Sequence, residues 1–379
     1  MSFDLHQELA DSHDGVQQWG YRRIRCGKLT ARDASLSTRT DGSSWARFSS
    51  WVSLGKRKYQ KEESKGSPVT DIPDDLDWFN RKCVESYEDI STTSATAQVN
   101  PYQFTITMAK LAEEGGVKVI MGSVDKIGYT DFNIQSCAEQ FEATGTARVS
   151  DAARGKRVQS VAYIDKATSE SRLIPATIVV LAAGPWTPVL FPSAPVSALR
   201  AHSVTIRPTR PVSAYCLFTE ISVPLLPTEE DGALEDEQLA TVQDSMKITS
   251  PEIYSRPNNE VYVCGAGDNT LPLPASTDDV EVSKETCQSL IDAVSGISNE
   301  LHDGVVTSRR ACYLPTVDVG GSGGPLVGQT GVSGLLMATG HGCWGIHNAP
   351  ATGKLISEIV FDGEAVSADI RGLDPRLVV

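Results

Sequence analysis

Ala338-Thr339-Gly340-His341-Gly342-Cys343-Trp344-Gly345-Ile346-His347-Asn348-Ala349-Pro350-Ala351-Thr352-Gly353-Lys354, near the C-terminus, is a glycine-rich turn that feeds directly into a helix. Its glycines let backbone come close to a flat ligand. The helix start beyond them aims free N–H groups and the positive end of a dipole at whatever lies there. Such a site suits a planar ring that gathers negative charge along one edge.

Upstream, Ala176-Thr177-Ile178-Val179-Val180-Leu181 is an apolar, β-branched run of the kind buried on both faces of a parallel sheet. Ala182-Ala183-Gly184-Pro185-Trp186-Thr187 follows at once. Taken alone this is any buried strand with a tight turn. In a doubly wound sheet, though, small residues at a strand's carboxyl end let a ligand lie across the crevice. The Ala182–Gly184 turn and the Gly340–Thr352 loop are therefore expected to converge on one pocket. Cys264-Gly265-Ala266-Gly267 lacks a third glycine and carries little weight, and no Gly-x-Gly-x-x-Gly stands near the start of the chain, where a dinucleotide-binding unit would place it.

The rest of the chain supplies two domains. Pro101 opens a helix carrying Phe104, Met108 and Leu111 on one stripe, stopped by Gly115-Gly116, and the strand Val117–Ile120 comes next. Residues 123–130, 157–164 and 171–175 alternate as a small antiparallel meander. Short strands with long acidic connections fill the stretch from about Pro195 to Arg310, and a helix over Lys354–Phe361 shows one apolar face. Residues from about Lys56 to Asp77 and from Pro227 to Glu237 read as solvated loops. This gives an α/β fold: a doubly wound, Rossmann-like domain from 1–50, 100–194 and 311–379, and an antiparallel-sheet substrate or cap domain from 51–99 and 195–310.

Composition narrows the partners. The 34 basic and 48 acidic residues give 34 − 48 = −14, which argues against nucleic acid or an anionic membrane. No apolar run approaches the roughly 18 residues of a membrane span, and the opening Met1-Ser2-Phe3-Asp4 is too polar for a secretory signal. A cytoplasmic placement is expected by default. The eight cysteines are scattered without C-x-x-C, and His341 with His347 lacks a third ligand, so no metal site is expected.

Together Val179–Thr187, Cys312-Tyr313-Leu314-Pro315-Thr316, Gly324-Pro325-Leu326-Val327-Gly328 and the Gly340–Lys354 run resemble the FAD-dependent D-amino-acid oxidase class, which includes glycine and sarcosine oxidases. The nearest likeness within that class is to fungal FAD-dependent oxidoreductases, and it spans nearly the whole chain. The resemblance implies a flavin domain built from three separated pieces and a substrate domain over the flavin ring. It implies FAD contacts from Ala182, Ala183, Gly184, Trp186, Gly340, His341, Gly342, Gly345, Ile346, Asn348 and Thr352, with Val124 near the adenine. It also implies hydride transfer to flavin from a C–H beside an amine or hydroxyl of a small amine or amino-acid-like substrate, followed by reoxidation, commonly by O2.

Three departures from that pattern bear on function. The N-terminal unit that should cradle the pyrophosphate, about 30 residues, is missing; the chain is expected to hold FAD weakly and to expose two strand edges. Cys343-Trp344 stands where glycine-oxidase-like members carry a carboxylate-clamping arginine. Trp344 could instead wall the substrate cavity, and Arg309 or Arg310 could supply the clamp, so Trp344, Cys343 and Arg310 are the candidate catalytic residues. Cys312 falls where sarcosine-oxidase-like members attach flavin covalently, and is expected near the pocket without that bond. The rival expectation is a flavin-less, truncated relative that serves as a non-catalytic binding or trafficking protein.

Overall fold

The computed structural model describes residues 1–36, 72–133, 154–224, 246–317, 319 and 323–379. The loop expected from Lys56 lies, as far as residue 71, outside the described residues. So do the acidic loop from Pro227 to Glu237, Cys137, and Gly320, Gly321 and Ser322.

The chain opens with helices α1 (Ser2–Ser12) and α2 (Gly15–Trp19), then strands β1 (Arg22–Arg23), β2 (Arg25–Arg32), β3 (Val84–Ser91) and β4 (Ala97–Gln98). Helix α3 (Pro101–Glu114) leads to β5 (Gly122–Asn133), β6 (Arg154–Asp165), β7 (Ser171–Pro175) and β8 (Val179–Leu181). After the one-turn helix α4 (Thr187–Leu190) come β9 (Val196–Arg207), β10 (Tyr215–Pro224), β11 (Met246–Thr249), β12 (Glu252–Arg256) and β13 (Glu260–Asp268). Helices α5 (Lys284–Ser295) and α6 (Asn299–His302) precede β14 (Val305–Val317), β15 (Leu326–Gln329) and β16 (Leu335–Thr339), and helix α7 (Gly345–Phe361) follows.

Two compact units result. The first joins Met1–Leu9, Met108–Leu199 and Tyr313–Val379; the second joins Ala10–Thr107 and Arg200–Cys312, with β9 and β14 carrying the chain from one to the other.

The second unit is built on a sheet of order β14-β9-β13-β12-β10-β2-β3, with β11 added on β10. Strand alternation decides its core, because every second side chain faces the same way. Leu29 and Ala31 of β2, Leu217 and Ile221 of β10, Ile253 of β12, Val261 and Val263 of β13 and Val204 and Ile206 of β9 are buried in one cluster. Onto it α5 lays Cys287, Leu290, Ile291 and Val294, the i, i+3, i+4, i+7 stripe of an amphipathic helix. Its Ser283 N-cap accepts the Thr286 N–H at 3.1 Å. Each such side chain contributes about 1.5–3 kcal/mol through burial.

Residues 1–50 were expected in the first domain; Met1–Leu9 are there, yet β2 lies between β10 and β3 in the second unit's sheet. It pairs in parallel with β10 and antiparallel with β3. Leu29 and Ala31 complete the buried row there, so packing with distant strands decides the placement.

In the first unit the expected meander is present as β5-β6-β7, paired antiparallel throughout. A three-stranded sheet, order β15-β16-β8, stands beside it in the same unit, and Ile127 and Val158 of the meander share a core with Leu181, Leu326, Leu335 and Met337. Helix α7 buries Ile356 against Val327 and Leu336. It begins at Gly345, nine positions before the expected Lys354, and runs through Pro350.

Two expectations are corrected. Val117–Ile120 forms no strand, and Val117, Val119 and Ile120 are 57%, 48% and 44% exposed. A strand needs a ladder partner, and that run pairs with none among the described residues. β8 is a strand, but it is not buried on both faces. Ile178 and Val180 are 44% and 41% exposed, while the alternate side chains Val179 and Leu181, on the other face, pack into the unit's core.

Candidate functional site

β8 and β16 run parallel in the register Val179 to Leu335, Val180 to Leu336 and Leu181 to Met337. Parallel pairing sends the chain out of both strands at the same edge, so Ala182–Gly184 and Gly340–Gly342 emerge side by side. Two threonines tie them. Thr187 Oγ1 donates to the Gly184 carbonyl at 2.7 Å and contacts Thr339 Oγ1 at 3.2 Å, while Thr339 Oγ1 lies 3.2 Å from the same carbonyl. Thr187 and Thr339 are 0% and 2% exposed, so this bond set is shielded from water and costly to break.

The glycines have distinct reasons. Gly184 and Gly342 adopt φ of +53° and +56°, where an L side chain is strained, and a Cβ built on either meets nothing within 4 Å. Gly345 has an ordinary helical φ of −55° and also faces open space. Gly340, at φ +78°, is different: its Cβ would sit 2.3 Å from Val317 Cγ2, so it serves packing. Gly184, Gly342 and Gly345 thus line a cradle that side chains would fill.

Beyond the cradle α7 starts at Gly345, and its first N–H groups have no helical acceptor. Pro350 deprives the Ile346 carbonyl of its usual i+4 donor. His6 of α1 takes over, its Nε2–H donating to Ile346 O at 3.0 Å, and Ser2 Oγ donates to His347 O at 2.5 Å. Burial pushes the His6 pKa down, which keeps the ring neutral. His6→Ala is expected to lower stability by about 1 kcal/mol, the cost of losing the hydrogen bond to a part-buried carbonyl. Urea unfolding with an unchanged m-value would register it; an unaltered midpoint would remove His6 from this role.

His341, half-buried, has its pKa lowered by burial, and its Nδ1 lies 3.5 Å from the Asn348 side-chain nitrogen. An amide N–H there sets Nδ1 as acceptor and places the ring proton on Nε2. Trp344 is 54% exposed and meets the His347 ring edge-on at 5.9 Å; Cys343 is exposed beside it.

Of the residues expected around a cofactor, Ala182, Ala183, Gly184, Trp186, Gly340, His341, Gly342, Gly345, Ile346, Asn348 and Thr352 come together on the β8 and β16 turns and the first turns of α7. Val124 belongs to the same unit but to β5, opposite Tyr163, and is 41% exposed. Arg310 and Cys312 lie on β14 in the second unit, both exposed. Thr187, Thr339, His6 and Ser2 were not singled out. Pro350 inside a helix was the one sequence signal that some group must satisfy a freed carbonyl.

Comparison with known proteins bears on the family and the fold. A family model described as FAD dependent oxidoreductase (DAO) matches residues 2–359. TDA3 of Saccharomyces cerevisiae, provisionally named an oxidoreductase, is 32% identical over the whole of this chain and 82% of its own length. A Schizosaccharomyces pombe protein of the same provisional description is 28% identical, covering 99% of this chain and 81% of its own. Glycine oxidase from Geobacillus kaustophilus shares the fold with a TM-score of 0.61 at 14% identity, covering 100% of this chain and 82% of that one. L-proline dehydrogenase from P. horikoshii does so with a TM-score of 0.56 at 12% identity, covering 99% and 80%.

Proposed function

The chain belongs to the FAD-dependent oxidoreductase family, an enzyme family whose cofactor is FAD, and from that premise we propose that it oxidises a small amine or amino-acid-like substrate at the β8–β16 edge. The observation that carries this is the parallel register that sets Gly184 beside Gly340–Gly345 with open space over three glycines. Names of fold relatives such as glycine oxidase and L-proline dehydrogenase support the substrate class.

The residues present fit a flat ring. Backbone at Gly184, Gly342 and Gly345 would approach its face, and the start of α7 would oppose negative charge on its edge. When bound, flavin supplies the acceptor for two electrons and a hydride. The chain's part is to hold and shield. Thr187 and Thr339 fix the two turns, His6 fixes the helix start, and neutral His341 keeps its Nε2–H available as a donor. Trp344 and Cys343 offer an aromatic face and a thiol in place of a carboxylate-clamping cation, and we assign substrate positioning to them.

The phosphates are another matter, because the one Gly-x-Gly-x-x-Gly turn in the 379 residues, Gly340–Gly345, is the turn assigned here to the ring. A pyrophosphate is normally held by that turn and its helix start. We therefore expect this chain to bind FAD weakly. No helix among the described residues is long and apolar enough to cross a membrane.

The test is a panel of primary amines, secondary amines and amino acids given to the purified chain with excess FAD and an electron-accepting dye. Substrate-dependent dye reduction is the expected result. FAD bound at the cradle with no reduction by any member of the panel would favour a binding protein instead.

A further inference from the structure

We propose that Cys26 and Cys216 form a redox-active dithiol, which a hydroperoxide converts to a disulfide. The pair lies wholly in the second unit and is independent of the flavin assignment. Cys26 on β2 and Cys216 on β10 are direct partners in a parallel ladder. In-register residues of neighbouring strands project from the same face, so the two thiols share one side of the sheet. That side is not the main core. Cys26 and Cys216 are 6% and 7% exposed in a small cluster with Ile24, Ala214, Phe218 and Tyr254.

Geometry permits a bond. Neighbouring strands lie about 4.7–4.9 Å apart, within the roughly 4.4–6.8 Å that disulfides span between Cα atoms. The register of β2 with β3 shifts between Cys26 and Gly27, an irregularity that lets the backbone give at Cys26. Cys83 and Cys287 are buried too, but among the hydrophobic residues of the main core.

The thiols are also chemically unequal. A hydrogen bond from the Cys216 thiol lowers the Cys26 pKa against the opposing effect of burial, whereas that bond and burial both raise the Cys216 pKa. Cys26 is therefore the attacking thiolate and Cys216 the resolving thiol. The Cys26 sulfur attacks one peroxide oxygen, an S–O bond forms, the O–O bond breaks, and hydroxide leaves with the proton that Cys26 lost, as water. Cys216 then attacks the Cys26 sulfenic sulfur, an S–S bond forms, and the S–O bond breaks as a second water departs. Two thiols lose two electrons and two protons, and one hydrogen peroxide becomes two waters. The product would fasten β2 to β10 across the sheet.

Native protein treated with hydrogen peroxide, then alkylated, digested and weighed, decides the matter. The expected product joins the Cys26 and Cys216 peptides with the loss of two hydrogens, and it should not form when peroxide is added in 8 M urea. Cys216→Ser should leave Cys26 as a sulfenic acid that dimedone traps, whereas Cys26→Ser should leave Cys216 alkylated. The proposal is overturned if both cysteines of the native wild-type protein remain fully alkylated after peroxide has oxidised the exposed Cys312 and Cys343. Cross-links joining either residue to a different cysteine would overturn it equally. Because the wild-type result decides alone, poor folding of a variant leaves the test intact.

Discussion

Gly345→Val is expected to weaken flavin binding at least tenfold, about 1.4 kcal/mol, while the fold keeps its stability. Gly345 is the first residue of α7, has an ordinary helical φ of −55°, and would carry a Cβ that meets nothing within 4 Å. Valine is therefore accommodated by the chain itself, and its conformational cost is below about 1 kcal/mol. The space it fills is the space assigned to the ring. Gly342→Val is the weaker test, since its φ of +56° adds strain unrelated to any ligand. Fluorescence titration with FAD reads affinity, and thermal unfolding without FAD reads the fold. Equal affinity for wild type and Gly345→Val would place the ring elsewhere.

Asp268→Ala should cost about 3 kcal/mol and change the acid limb of the stability profile. Arg200, 5% exposed, reaches Asp268 at 3.0 Å through Nη2, Thr270 Oγ1 at 2.8 Å and the Glu281 carbonyl at 3.4 Å. Removing the carboxylate strands a buried guanidinium, the costly way to break such a pair. Burial opposes ionisation of Asp268, but hydrogen bonds from Thr270 and Arg200 outweigh it and hold the carboxyl at about 2, below its ordinary 3.8. A depressed carboxylate stabilises the fold fully above pH 3.8, and that contribution, about 2 kcal/mol, is lost as pH falls through 2.

His202 acts in the same direction. It is 1% exposed, and Nε2 accepts the Ser283 N–H at 3.0 Å, so the folded state holds it neutral. Burial lowers its pKa first, then the Arg200 charge, against Asp268. The unfolded chain takes up that proton below pH 6.5, and stability declines with it. Urea unfolding of wild type should therefore show stability falling from pH 7 towards pH 2, and Asp268→Ala should flatten the part between pH 4 and 2. A variant within 0.5 kcal/mol of wild type at pH 7, by the ordinary tolerance of surface changes, would contradict the network.

Local pattern announced much of this molecule. Pro101 with Phe104 gave α3, alternation gave the β5–β7 meander, and β-branched Val179 and Val180 gave β8. The glycine run at 340–345 was legible as a turn entering a helix, and it stands between β16 and α7. What stayed hidden was non-local. The partner of β2 is β10, with Arg25 opposite Tyr215, 190 positions away, and no spacing in the chain encodes that pairing. The strand pattern of Val117–Ile120 is sound locally, yet pairing requires a neighbour. The helix expected over Lys354–Phe361 begins instead at Gly345 and runs through Pro350, with His6 meeting the carbonyl that proline leaves free.

The central claim is that the turns after β8 and β16 form the flavin-contacting edge, and amide hydrogen exchange with and without saturating FAD tests it most directly. Slower exchange confined to peptides covering 182–187 and 340–352, and absent from Gly345→Val at the same FAD concentration, is the predicted result. Protection by FAD that falls on other segments, with those two unchanged, would contradict it.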